Sequence, residues 1–349
     1  MRIALDAMGA DSAPVPEIEG AIAALKNNPE IEIILVGKSG VIEKELEKHD
    51  AKGLRLSIHQ ASEVIEMGDS PSKALKMKRD SSIVHCIELQ KAGKVHASVS
   101  AGNTGAVVAA STLNLGLLPG IKRPGIAIAL PTLHGISVAI DVGANIAPTP
   151  EHLLQYAIMV ENYARFLLKK KRPSVALLNI GEEESKGTEV IQEAYRMLRD
   201  SGINFIGNVE GRDFFTGKCD CIVCDGFVGN VVLKMTESIL DMMITLIKRE
   251  MQKNFLAQIG ALMCRPAFDS IRQETNYEEA GGALLLGVDG VVIISHGISS
   301  AKAIKNAIRV GRDAVVEKVN EHITEGIGEY LRNHANSSPS NSSTPKVNP

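Results

Sequence analysis

The chain has 349 residues, 44% hydrophobic and 23% charged, with a net charge of −3. That balance describes a globular protein with a sizeable core and excludes collagen-like, disulfide-framework and broadly disordered chains. The slight acidity gives no general attraction to nucleic acid, so any basic docking surface must be local. Five cysteines without a visible secretory leader, since Asp6 and Asp11 interrupt the first residues, fit a reducing cytoplasm.

Strand and helix patterns alternate through the first 60 residues. RIALDAM reads as a strand, Val15 to Asn28 as a helix, IEIILVG as a strand, Gly40 to His49 as a helix and LRLSIHQ as a strand. Ser70-Pro71-Ser72 has the form of a cap with Pro in the first turn, launching one helix towards Gly93. From Ala97 to Ile121, 25 positions carry no charge, enough to cross a bilayer. The serines, threonines, asparagines and four glycines of that stretch are too polar for lipid. It parses instead as a buried strand from Ala97 to Ala101, a turn Gly102-Asn103-Thr104-Gly105 and a helix from about Thr104.

Two uncharged runs, PGIAIALP and GISVAID, precede a long helix from Pro150 to Lys170. SVALLNI, INFIGNV and CDCIVCD read as strands, VDGVVIISHG as a last one, and a helix starts at Ser299. The alternation predicts a mostly parallel α/β sheet with helices on both faces, a single domain over 1–332 and a disordered tail over 333–349. Within it, 237–273 reads as a protruding amphipathic helical segment.

Ligands on such sheets sit beyond the carboxyl ends of strands. That rule gathers Asp6, Ser100 to Thr104, Asp141 to Asn145, Gly181 to Gly187, Asp225 to Asn230 and Ser295-His296-Gly297 into one expected crevice. Gly, Asn and Asp also form ordinary turns, but six such ends together point to a ligand. Glycines admit a ligand to the backbone, and a helix start at Thr104 offers N–H groups to an anion. The cluster Cys219-Asp220-Cys221-Ile222-Val223-Cys224 is read as core thiols, with Cys219 and Cys221 on one strand face and Cys224 on the other. A structural zinc needs four converging ligands, and no fourth Cys or His lies nearby in sequence.

Two basic stripes stand out. Lys302, Lys305, Arg309 and Arg312 fall at helical spacing, and PSKALKMKRD carries Lys73, Lys76, Lys78 and Arg79. Each is either a docking surface or a solvated helix face. Leu240, Met243, Ile244, Ile247 and Met251 make an apolar helical stripe ahead of FLAQIGALM, flanked by Lys248, Arg249, Lys253 and Arg265. A tip of Phe255, Leu256, Ile259, Leu262 and Met263 suits a membrane surface, and the same pattern suits a dimer-forming hairpin.

IALDAMGAD, SAGNTGA, DVGAN, NIGEEESKG, NFIGNVEGRD, CDGFVGNVVLK and GGALLLGVDGVVIISHG together resemble the bacterial phosphate acyltransferases, which make acyl phosphates from acyl-[acyl carrier protein]. The resemblance covers residues 1 to about 320. It departs from the family pattern at Ala10, Pro124-Gly125, Ala147, Val160 and Ala283-Leu284, mostly by exchange of small residues. It implies a Rossmann-like, phosphotransacetylase-like sheet, a homodimer, no metal and no cofactor. It also implies acyl carrier protein, a membrane surface and the downstream glycerol-3-phosphate acyltransferase as partners, no nucleic acid, and a cytoplasmic, peripherally membrane-associated setting.

In the implied reaction phosphate is itself the nucleophile, and a thiol of pKa about 8.5 leaves without much acid help. No catalytic triad or cysteine is required; the protein must position a dianion and offer donors to the developing oxyanion. The resemblance and the strand-end rule together nominate His296, Lys186 and Asn230 as catalytic residues. Asn103, Thr104, Asp141, Asn145, Asp225, Lys234 and Ser295 complete the expected phosphate and thioester site. Lys186 alternatively pairs with Glu182, Glu183 or Glu184, and Asp141 and Asp225 alternatively cap helices. The acidic carrier makes Lys302, Lys305, Arg309 and Arg312 a docking candidate, with the stripe from Lys73 to Arg79 the other. Two readings compete. A dinucleotide-linked dehydrogenase lacks GxGxxG after the first strand, and a non-catalytic carrier-binding module leaves six polar strand ends unexplained.

Overall fold

Short apolar runs bounded by turn residues become strands throughout the computed structural model, which describes residues 1–275 and 281–335. The elements are β1 (Arg2–Asp6), α1 (Val15–Asn27), β2 (Glu32–Gly37), α2 (Ser39–Leu46), β3 (Leu56–Gln60), α3 (Pro71–Met77), α4 (Ser82–Lys91), β4 (Ala97–Ser100) and α5 (Thr104–Asn114). There follow β5 (Gly125–Thr132), β6 (Gly135–Ile140), α6 (Pro150–Phe166), β7 (Val175–Leu178), α7 (Glu189–Arg199), β8 (Phe205–Val209) and β9 (Cys221–Val223). The rest are α8 (Gly226–Met251), α9 (Phe255–Thr275), β10 (Ala283–Leu286), β11 (Val291–Ile294), α10 (Ala301–Val316) and α11 (Val319–Ala335).

All strands join one 11-stranded sheet in the order β3-β2-β1-β4-β11-β10-β5-β6-β9-β7-β8. Seven of the ten ladders are parallel, as the α/β alternation predicts. The three antiparallel ladders, β11 with β10, β10 with β5 and β5 with β6, sit together in the middle. They reverse the sheet, so β1, β4 and β11 run one way and β6, β9 and β7 the other.

Register decides where the carboxyl ends fall. One row of paired residues runs Leu5, Val99, Ile293, Leu284, Ala127, Ile140, Val223, Leu177. Six of these eight lie at or next to the last residue of their strand. The two oppositely directed half-sheets are therefore offset along the strands, and their carboxyl ends meet on a shared line. Four of the six expected strand ends, those after β4, β6, β9 and β11, line one cavity across the reversal, whereas Asp6 and Gly181 to Gly187 do not line it.

Helices α1, α6, α10 and α11 cover one face through Ile18, Leu153, Tyr156, Ile304, Ile308 and Ile323. On the other face Ile83, Ile87, Ala106 and Val107 of α4 and α5 pack over Ile126, Ile128 and Ile294. Burying such side chains stabilises by about 1.5–3 kcal/mol each.

Several elements differ from the sequence reading. The single helix expected from Ser70 towards Gly93 is two. Asp80 breaks it, because its carboxylate accepts the Ser62 N–H at 2.9 Å and bonds His85 Nε2 at 2.7 Å, while its own N–H donates to Glu63 at 2.9 Å. The helix expected to Lys170 stops at Phe166. The ALLL of β10 and the amphipathic α7 were not read from the sequence, and the final helix is two, α10 and α11. Cys219 precedes β9 and packs with Cys224, while Cys221 faces the opposite side, so the expected pairing of faces is wrong. Asn333 to Ala335, assigned to the tail, complete α11; the remainder of the tail lies outside the described residues.

Helix α8 leaves the sheet early, since of its residues Gly226 and Gly229 alone are buried. It packs on α9, and the pair exposes Met235, Ile239, Met242, Met243, Phe255, Leu256, Leu262 and Met263. Among the described residues no helix is long and apolar enough to cross a membrane.

Candidate active site

Asp6 ends β1 fully buried, where burial pushes its carboxyl above the ordinary range. It accepts the Ser100 hydroxyl at 2.7 Å and the Met8 N–H at 3.1 Å, tying the ends of β1 and β4 together. A Cβ on Gly9 would lie 2.6 Å from the Gly102 nitrogen, so only glycine lets these two turns touch. Asn103 then starts α5. Its Oδ1 accepts the Ala106 N–H at 3.0 Å, and its Nδ2 donates to the carbonyls of Glu66, Met67 and Asp69 at 3.1–3.2 Å. Asn103 therefore builds the turn and anchors the 61–70 strap, with its amide spent on neither phosphate nor thioester.

Asp141 plays the matching role on the other half-sheet. Its carboxylate accepts the N–H groups of Ile126, Gly143, Ala144 and Asn145 at 2.6–3.0 Å. Burial raises its pKa against the pull of those four donors. Asn145 closes this loop, receiving the Gly226 N–H on its carbonyl at 2.9 Å and reaching Tyr156 at 3.4 Å. Asp225 caps α8 by accepting the N–H groups of Phe227 and Val228 at 3.0 and 2.8 Å. Asp225 is thus the helix cap of the alternative reading, while Asp141 and Asn145 hold the loop after β6 without capping a helix.

Between the two scaffolds lies a cavity of about 410 Å³. Gly102, Thr104, Ser295, His296 and Gly297 line it from one half-sheet; Val142, Asn230 and Lys234 line it from the other. Asn230 is oriented by donating to the Val142 carbonyl at 3.1 Å. Ser295 is 6% exposed, and its Oγ has no hydrogen-bond partner among the described residues. His296 is exposed and its Nδ1 accepts the Ile298 N–H at 3.3 Å, so the neutral ring carries its proton on Nε2 as a donor. Ile126, Ile128, Leu233, Ile294 and Met67 supply an apolar wall. The site thus offers donors and a cation beside a surface suited to hydrocarbon. Asp11, Met67, Leu233 and Glu237 were missed in the sequence; Leu233 and Glu237 share the helical face of Asn230 and Lys234, which spacing alone reveals.

Residues 1–322 match the family described as Fatty acid synthesis protein. A phosphate acyltransferase of Heliobacterium modesticaldum is 52% identical over 328 residues, covering 93% of this chain and 98% of that protein. The chain belongs to the phosphate acyltransferase family. A second member, from Halothermothrix orenii, is 49% identical over 321 residues, 91% of this chain and 96% of its own length. A phosphotransacetylase from Streptococcus pyogenes shares the fold with a TM-score of 0.62 at 20% identity, over 91% of this chain and 94% of that one.

In this family member Lys186 stands apart from the cavity lining, exposed on the loop after β7. Its expected acidic neighbours are engaged elsewhere, Glu182 with Lys218 at 2.6 Å and Glu184 with Arg199 at 3.1 Å. The thiols of Cys219, Cys221 and Cys224 are buried, and burial pushes them up, Cys219 to about 12. Such thiols are not nucleophiles at neutral pH. On the stripe of α10 two of the four cations are paired: Arg312 meets Asp313 at 2.6 Å and Glu30 at 3.7 Å, and Arg309 meets Asp313 at 3.7 Å. Lys305 is half-buried, and Lys302 has an interaction of its own.

Proposed function

We propose that this cavity transfers a fatty acyl group from acyl carrier protein to inorganic phosphate, giving an acyl phosphate for phospholipid synthesis. The observation that carries the reading is the unpartnered Ser295 hydroxyl beside His296, facing Asn230 and Lys234 across a cavity walled with isoleucine and leucine. A buried polar group without a partner costs about 1–3 kcal/mol, so it marks where a ligand completes the bonding.

An oxygen of HPO₄²⁻ attacks the thioester carbonyl, the C–S bond breaks, and the phosphate proton ends on the departing thiolate. The products are acyl phosphate and free thiol. Lys234 and the N–H groups at the start of α5, beside Thr104, hold the dianion. His296 Nε2–H donates to the carbonyl oxygen or the sulfur, and Asn230 and Ser295 orient the reactants. The apolar wall receives the first carbons of the chain. No cofactor enters this scheme.

The α8–α9 hairpin is assigned to a second copy of the chain along its stem and to a lipid surface at Phe255 to Met263, in a cytoplasmic, peripherally membrane-bound enzyme. From there a water-labile product passes to the next acyltransferase. Phosphate-dependent release of free carrier from acyl-carrier protein tests the chemistry. Release that ignores phosphate would remove it.

A further inference from the structure

We infer that the exposed basic face of α3 and the turn after it, formed by Lys73, Lys76 and Arg79, is the docking surface for the acidic carrier that delivers the thioester; the inference rests on the acyl-transfer reading above. Of the two basic stripes, that of α10 has Arg309 and Arg312 paired with Asp313 and Glu30. Lys73, Lys76 and Arg79 are exposed and make no ion pair among the described residues.

The nearby acids are already engaged. Lys78 turns inward to Asp69 at 2.6 Å and to the Val64 carbonyl at 2.8 Å. Asp80 is held by His85 and Ser62, and Glu63 accepts the Asp80 N–H. Among these groups Glu66 and Asp80 are exposed acids, beside three cations that have no ion pair among the described residues. Met77, 81% exposed, stands beside those cations and offers an adaptable apolar contact.

The face is also fixed relative to the cavity. Pro71 opens α3 against Gly105, where a Cβ would lie 2.6 Å from the proline ring. Asn103 holds the carbonyls of Glu66, Met67 and Asp69, and Met67 lines the cavity itself. A carrier seated on α3 thus stands at the rim, and a flexible arm from it enters past Met67 towards Ser295 and His296. Charge pairing at a rim of this kind raises the encounter rate and weakens with salt.

Steady-state kinetics with acyl-carrier protein and with a small acyl-pantetheine thioester separate docking from chemistry. Lys73→Glu with Lys76→Glu and Arg79→Glu is expected to raise KM for the carrier substrate about 10- to 100-fold at low salt and to flatten its salt dependence. Turnover of the small thioester stays near wild type. The equally exposed pair Lys44→Glu with Lys52→Glu changes neither. An unchanged carrier KM overturns the assignment. So does a rise produced instead by Lys302→Glu with Lys305→Glu, or an equal loss with both donors in the milder Gln triple variant. A wild-type protein that uses phosphate with neither donor strikes the acyl-transfer reading instead; anisotropy with labelled carrier protein still reads the surface in that case.

Discussion

Gly229 lies against the carbonyl oxygen of Asp141, with no room between them for a Cβ. One turn earlier a Cβ on Gly226 would fall 2.6 Å from the Asp141 carboxylate. These two contacts seat α8 on the loop after β6 and so place Asn230 and Lys234 in the cavity. Gly229→Ala is expected to cost about 1–3 kcal/mol through overpacking. It should also lower turnover by displacing Asn230. Urea denaturation and the phosphate-dependent assay read the two effects, and a wild-type midpoint with full activity would show that the contact yields freely.

His296→Ala should reduce turnover about 10²–10³-fold, the scale of losing one preorganised donor. Lys186→Ala should leave turnover within a few-fold, because that side chain stands apart from the cavity lining. A near-wild-type rate in His296→Ala, with the fold intact by circular dichroism, would remove His296 from the mechanism.

Stability should fall as pH rises from about 4.5 to about 7 because of Glu17. Its side chain is fully buried in α1, accepts the Ala10 N–H at 2.8 Å and leaves Oε2 without a partner among the described residues. Burial raises its pKa from 4.5 to about 7. The folded protein thus binds the proton more tightly than the unfolded chain, so stability is fully present below 4.5 and declines up to about 7. The loss at high pH is about 3 kcal/mol in order of magnitude. Glu17→Gln should flatten that decline in a series of melting curves between pH 5 and 8; an equally steep variant would assign the decline to other groups.

Leu256→Glu with Ile259→Glu tests the hairpin. Burial of apolar surface contributes about 25 cal/mol per Å², so a tip from Phe255 to Met263 that entered a lipid surface would gain several kcal/mol before ordering costs. The double variant should lose co-sedimentation with anionic vesicles and keep both its oligomeric state and its soluble activity. Dissociation to monomers would make the tip a subunit contact, and unchanged vesicle binding would remove the lipid role.

Much of the fold was legible because parallel strands buried on both faces read as apolar runs ending in Gly, Asn or Asp. β10 is not legible in the sequence because four apolar residues between glycines look the same as any buried run. The helix break at Asp80 depends on Ser62 and Glu63, distant in sequence and invisible to a local pattern. At the site, strand ends located His296, Ser295 and Asn230. The same rule could not separate them from Asn103, Asp141 and Asp225, because a capping carboxylate or amide and a ligand-facing one occupy the same positions. Only the bonding partners tell them apart. Lys186 illustrates a further limit: β7 lies beyond β9 from the cavity, a matter of strand order that no spacing encodes.

The offset of the two half-sheets has a mechanical consequence. The molecule is sewn together at mid-sheet by three antiparallel ladders, and the cavity straddles that seam. A bound ligand that touches Ser295 and His296 on one side and Asn230 and Lys234 on the other acts as a staple across it. Occupancy is then expressed as cohesion: phosphate at a hundred times its dissociation constant adds about 2.7 kcal/mol to the folded state. Heat resistance becomes a gauge of how full the active site is.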